Sequence, residues 1–103
     1  MAMSITTQVM ADKARLSLQG RFDFSAHRDF RQGYEKLITQ PDVKCVEVNM
    51  SGVEYIDSSA LGMLLVLREA IIRNQQQLMI TNCTSSVRRV LDVANFGKLF
   101  VLC

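Results

Sequence analysis

The stretch from Asn49 to Leu67, NMSGVEYIDSSALGMLLVL, constrains the fold more than any other. A strand-like run ends in Asp57-Ser58-Ser59, and a strongly apolar helix begins at once. Strand passing directly into helix is the local signature of an α/β layer arrangement. The same junction places two hydroxyls at a helix N-terminus, where backbone N–H groups lack partners and the helix dipole is positive. Such a position can cap the helix, bind an anion or hold a phosphorylated serine.

The flanking sequence extends the α/β pattern. Residues 4–11 and 14–19 alternate as strands, with a turn near Asp12-Lys13 and Gly20 closing the second. So short a connection favours an antiparallel pair. A helix is expected over 25–39, with Ser25 as N-cap and Ala26, Phe30, Tyr34, Leu37 and Ile38 on one face. Pro41 ends that unit. Val43 to Met50 reads as a strand apolar on both sides, hence central and covered, with Cys45 in the core. Ser51-Gly52 then reads as the start of a loop leading to Asp57.

The second helix is expected from Ser59 to Asn74, with Leu61, Leu64, Leu65, Arg68 and Ile72 on one face. Its other side is apolar too, so it is either well buried or offers a patch to a partner. A strand at 78–81, a helix at 85–95 ended by Asn95 or Gly97, and a strand at 99–102 complete a ββαβαβαβ order. The expectation is one α/β domain over residues 1–103, with a mixed, largely parallel sheet of about five strands.

Composition narrows the function classes. Twelve basic and ten acidic residues are spread along the chain, and there is no Trp. No basic stripe with interleaved aromatics is present, so no nucleic-acid partner is expected. Three cysteines without a C-x-x-C indicate neither a disulfide framework nor a metal site. The start of the sequence lacks a signal-peptide pattern, and the apolar run Met63 to Leu67 is far short of the roughly 20 residues that cross a bilayer. A cytoplasmic protein without membrane insertion is the expectation. No G-x-S-x-G, P-loop or G-x-G-x-x-G occurs, and His27 is the only histidine, read as a solvated residue of the first helical turn. No enzyme activity and no cofactor are expected.

Ile56-Asp57-Ser58-Ser59-Ala60-Leu61-Gly62 resembles the D-S-[ST]-G-L-G hallmark of STAS domains, especially bacterial anti-sigma factor antagonists. Val48-Asn49-Met50-Ser51-Gly52-Val53 resembles the strand end that precedes it in that family. Leu18-Gln19-Gly20-Arg21-Phe22-Asp23 and Ser86-Val87-Arg88-Arg89-Val90-Leu91-Asp92 resemble two further family segments. Ala60 stands where the family usually has glycine. Only Cys103 follows the expected last strand, so the C-terminal helix of many members is expected to be missing or very short.

The resemblance implies a STAS fold with helices packed mainly on one face. It implies Ser58 as the phosphoacceptor of a partner-switching circuit, with Asp23, Asp57, Ser59, Leu61, Gly62 and Met63 in the vicinity of the switch. The implied partners are an anti-sigma factor that is also a serine kinase, and a metal-dependent serine phosphatase. The implied alternatives are a cytoplasmic STAS subunit of a membrane transporter, docked on an ATPase, or a phosphorylated switch acting on a non-sigma target. The residues alone leave other readings open. Ser58 or Ser59 could be only an N-cap, Asp57 could place the Ser58 hydroxyl or simply cap the helix, and Asp23 could be merely solvated.

Overall fold

The alternating segments resolve into five strands and three α-helices in a computed structural model that describes residues 3–103. In chain order these are β1 (Ser4–Met10), β2 (Lys13–Phe22), α1 (His27–Ile38), β3 (Cys45–Ile56), α2 (Ser58–Arg73), β4 (Gln77–Thr81), α3 (Ser85–Val93) and β5 (Val101–Leu102). Short 3-10 turns cover Phe24–Ala26 and Phe96–Lys98. The strands lie side by side in sequence order, β1 antiparallel to β2 and all later pairs parallel. Each parallel step passes through a helix in the same direction along the sheet. With the right-handed crossovers that parallel strands favour, the helices gather on one face.

One core fills the space between that face and the helices. Leu16 and Leu18 of β2, Val46, Val48 and Met50 of β3, and Ile80 of β4 meet Phe30, Leu64, Leu67, Ile71 and Leu91 from the helices, all essentially without exposure. Phe30 stacks in tilted fashion on Phe22 at 4.9 Å and edge-on to Tyr34 at 5.3 Å.

The opposite face of the sheet is open and polar over β2 and the middle of β3, with Met79 and Val101 beyond them, which corrects the expectation that β3 is covered on both sides. Cys45 is half-buried there rather than in the core, and its thiol is pushed up by partial burial. Glu47 is only 3% exposed, but its cover is polar. Lys13 Nζ lies 2.9 Å from it, Arg15 Nε 3.2 Å, and the Thr81 hydroxyl donates to it at 2.6 Å.

Other corrections share one cause, that turn-type residues serve strands and caps as well as loops. β2 does not close at Gly20 but runs on to Phe22, and β3 does not end at Met50 but runs on to Ile56. β3 carries extra residues opposite β2, with register shifts between Ser17 and Gln19 and between Gly20 and Arg21. Gly52 sits in this bulged stretch. A Cβ there would come within 2.6 Å of Gln19 Cγ and 2.9 Å of the Leu18 carbonyl oxygen, so close strand approach requires glycine. At the first helix, Ser25 is not the cap of α1. Asp23 caps the 3-10 turn, and α1 starts at His27 behind Ala26, which makes no side-chain cap bond. α2 buries Ala60, Met63, Leu64, Leu67, Ala70 and Ile71, whereas Leu65 and Ile72 of the expected face are 37% and 54% exposed. β5 is shorter than expected, because Phe96 and Phe100 stack at 5.0 Å and turn the chain before Val101. Asn95 ends the third helical segment as anticipated, in the left-handed region at φ 61°.

Candidate functional site

The site forms where β2 and β3 end together. Phe22 pairs with Ile56, so Asp23 and Asp57 leave the sheet side by side at the carboxyl ends of parallel strands. The Asp57 amide donates to the Phe22 carbonyl at 3.4 Å and ties the two exits together. Open α/β sheets place their functional groups at this end.

Both acids act as caps. The Asp57 carboxylate accepts from the Ala60 amide at 3.0 Å, and its carbonyl accepts from Leu61 at 3.3 Å. Of the two roles the sequence left open for Asp57, capping is the one seen. Asp23 accepts from the Ser25 amide at 3.0 Å and from the Ser25 hydroxyl, and Arg21 Nε lies 3.6 Å away. The hydrogen bond from the Ser25 hydroxyl, foremost, holds the Asp23 carboxyl below its ordinary value. The Arg21 guanidinium in turn stacks on the Tyr55 ring at 4.1 Å from its centroid.

Because Asp57 does the capping, neither serine is needed for it. Ser58 is the first residue of α2 and exposed. Its hydroxyl takes part in none of the side-chain hydrogen bonds among the described residues. The Ser58 and Ser59 amides likewise find no acceptor among the described residues, as the first turn of a helix dictates. The arrangement is an exposed, unengaged hydroxyl on the first residue of a 16-residue helix, at the end where the dipole is positive.

Ser59 is half-buried and lines a groove of about 450 Å³ between α1 and α2. Phe24, His27, Phe30, Arg31 and Tyr34 form one wall, and Gly62, Met63 and Val66 the other. Met63 is largely buried at 7% exposure, Leu61 is half-buried, and Gly62 is exposed. A Cβ on Gly62 would meet nothing within 4 Å. Sequence reasoning missed Phe24, which is 72% exposed and stacks on His27 at 6.2 Å. Its signal was an aromatic residue between two capping-type side chains, Asp23 and Ser25, where a core role has no room.

The described residues hold no group of three metal-ligating side chains, and no helix among them is long and apolar enough to cross a membrane. The chain matches the family model described as Mlab, STAS domain, over residues 5–102. It belongs to the STAS-domain family. It is 43% identical over 100 residues to a STAS-domain containing protein of Pseudomonas aeruginosa strain UCBPP-PA14, covering 95% of this chain and 97% of that one. In fold, this STAS domain is similar to an anti-sigma factor antagonist from Mycobacterium paratuberculosis, with TM-score 0.85 at 16% identity over 97% of this chain and 84% of that one. It is also similar to the anti-sigma factor antagonist SpoIIAA in its unphosphorylated form, with TM-score 0.75 at 19% identity over 97% and 87% of the two chains. The Bacillus SpoIIAA structure in the phosphorylated form matches at TM-score 0.74, with 19% identity over 97% and 91%. A murine solute carrier 26 family anion transporter matches at TM-score 0.74 and 18% identity, over 84% of this chain but 14% of the transporter.

Proposed function

We propose that this STAS domain is an anti-sigma factor antagonist switched by phosphorylation of Ser58. The unmodified form binds an anti-sigma factor that is also a serine kinase, and so frees the sigma factor. The kinase then transfers phosphate to Ser58, and a metal-dependent serine phosphatase removes it. The observation that carries this reading is the division of labour at the α2 start: Asp57 caps, and the exposed Ser58 hydroxyl is left unused. A similar fold solved in both unphosphorylated and phosphorylated forms supports it.

The physics of the switch follows from the position. Phosphate adds about −1.5 to −2 charge. The helix N-terminus receives it on free amides, so the fold survives. The change is felt outside, where Asp23 and Asp57 already line the junction and the Phe24–Val66 surface is apolar. A dianion there confronts a docked partner with desolvation and repulsion. Binding is lost while the structure stays.

Two neighbouring readings share the fold. A transporter-associated STAS subunit is supported by the transporter match. The retained pair Ser58 and Ser59 favours the phosphorylated switch over it. A switch acting on a non-sigma target uses the same chemistry at the same residue. The test is incubation with the serine kinase encoded nearest to this chain and magnesium-ATP, followed by intact mass and site mapping. One phosphate on Ser58, absent from Ser58→Ala, is the expected result. No phosphate on Ser58 under any condition would sink the switch reading.

A further inference from the structure

The two edges of the sheet are built differently. β5 offers only two residues, Val101 and Leu102, so little backbone is open there. β1 offers seven, and its outer side has no partner strand among the described residues. Natural sheets blunt such an edge with lysine, proline or a bulge. The sequence of β1, SITTQVM, has none of these side chains, and its ladder runs from Ser4–Gln19 to Met10–Lys13 without a register shift.

α1 flanks this edge. A groove of about 470 Å³ separates them, lined by Ser4, Ile5 and Thr7 from the strand and Asp29, Gln32 and Lys36 from the helix. Ile5, Thr7 and Val9 point to the helix side, since they pair with the buried Leu18, Leu16 and Ala14. A strand added at the edge would place its own alternate side chains in that groove.

The charges select the occupant. Asp29, Gln32 and Lys36 form one stripe at helical spacing, with acid at one end and base at the other. Neither Asp29 nor Lys36 has an ion-pair partner among the described residues. A two-fold axis across the edge reverses one stripe against its copy. Asp29 of each chain then faces Lys36 of the second, while two uncharged strands meet without like-charge conflict. We infer that β1 and this flank of α1 form the interface of a homodimer, in which two β1 strands pair antiparallel and the sheet runs on through both copies. The helical period puts the stripe on the flank of α1 opposite Arg31 and Tyr34, which line the Ser59 groove. Dimerisation therefore leaves the α2 start accessible and does not depend on the phosphorylation reading.

Sedimentation velocity of the full chain over a concentration series tests this. A concentration-dependent dimer is expected. Thr7 is exposed, so Thr7→Lys should fold normally yet give a monomer, because it sets two ammonium groups against each other near the axis. Asp29→Lys and Lys36→Asp should each weaken the dimer about tenfold, and the double variant should restore it. A monomer at every concentration overturns the inference. So does a dimer indifferent to Thr7→Lys, or one that the double swap fails to restore.

Discussion

Glu47 and Ser58 are both polar residues of the β3–α2 unit, and the fold treats them in opposite ways. Glu47 is removed from water, and its oxygens meet Lys13, Arg15 and the Thr81 hydroxyl. Ser58 stands in solvent, and the neighbour that could have shared its capping task, Asp57, performs it alone. A polar group whose partners all lie within the chain belongs to the fold. A polar group left free beside unpaired donors is available to another molecule.

The largest expected effect is at Glu47. Glu47→Ala leaves the Thr81 hydroxyl without its acceptor and two cations without their counter-charge. Lys13 and Arg15 are each about a third exposed and recover some solvation. A loss of about 2–3 kcal/mol in urea unfolding is expected. Burial alone would raise the Glu47 carboxyl, but hydrogen bonds from Thr81, Lys13 and Arg15 outweigh it and hold the group below its ordinary 4.5. A lowered folded value means that the contribution is fully present above 4.5 and fades as pH falls through the folded value. The wild-type chain should therefore lose its advantage over Glu47→Ala on acidification below that range. If Ser58→Ala cost as much stability as Glu47→Ala, the contrast would be broken.

Smaller effects sharpen the same contrast at the α2 start. Asp57→Ala removes the side-chain N-cap of α2 and should cost about 1 kcal/mol in thermal or urea unfolding. Gly62→Ala fills open space in mid-helix and should stabilise by up to about 1 kcal/mol. If the groove rim docks a partner, the same change should weaken that binding, which a titration with the purified kinase would read. Ser58→Asp should shift stability by no more than about 0.5 kcal/mol, because an acid in the first turn suits the helix dipole while Asp57 opposes it. Circular dichroism should show the helices unchanged.

Much of the fold was legible because the hydrophobic period switches sharply between segments. The order of elements and the antiparallel first pair follow from that switching, and the start of α2, expected at Ser59, lies one residue earlier at Ser58. The end of β3 was not legible, since Ser51-Gly52 has the composition of a loop. Only the approach of Gln19 and the Leu18 carbonyl shows why a strand needs glycine there. The phase of α2 was not legible either, because nearly every residue from Ala60 to Leu67 is apolar and periodicity has nothing to contrast. At the mouth of α1 several capping-type residues compete, and the choice of Asp23 over Ser25 depends on a 3-10 turn that spacing does not announce. Ser58 itself was legible as a candidate. That its hydroxyl is unused became visible only when Asp57 was seen to cap.

The most direct test is a calorimetric titration of the serine kinase encoded nearest to this chain with the unmodified chain and with the same chain phosphorylated on Ser58. We expect the unmodified chain to bind and the phosphorylated chain to bind at least about tenfold more weakly, a difference of about 1.4 kcal/mol or more, with identical circular dichroism. Equal affinity of the two forms, or a weaker affinity accompanied by loss of helical signal, would contradict a switch that acts on binding and leaves the fold in place.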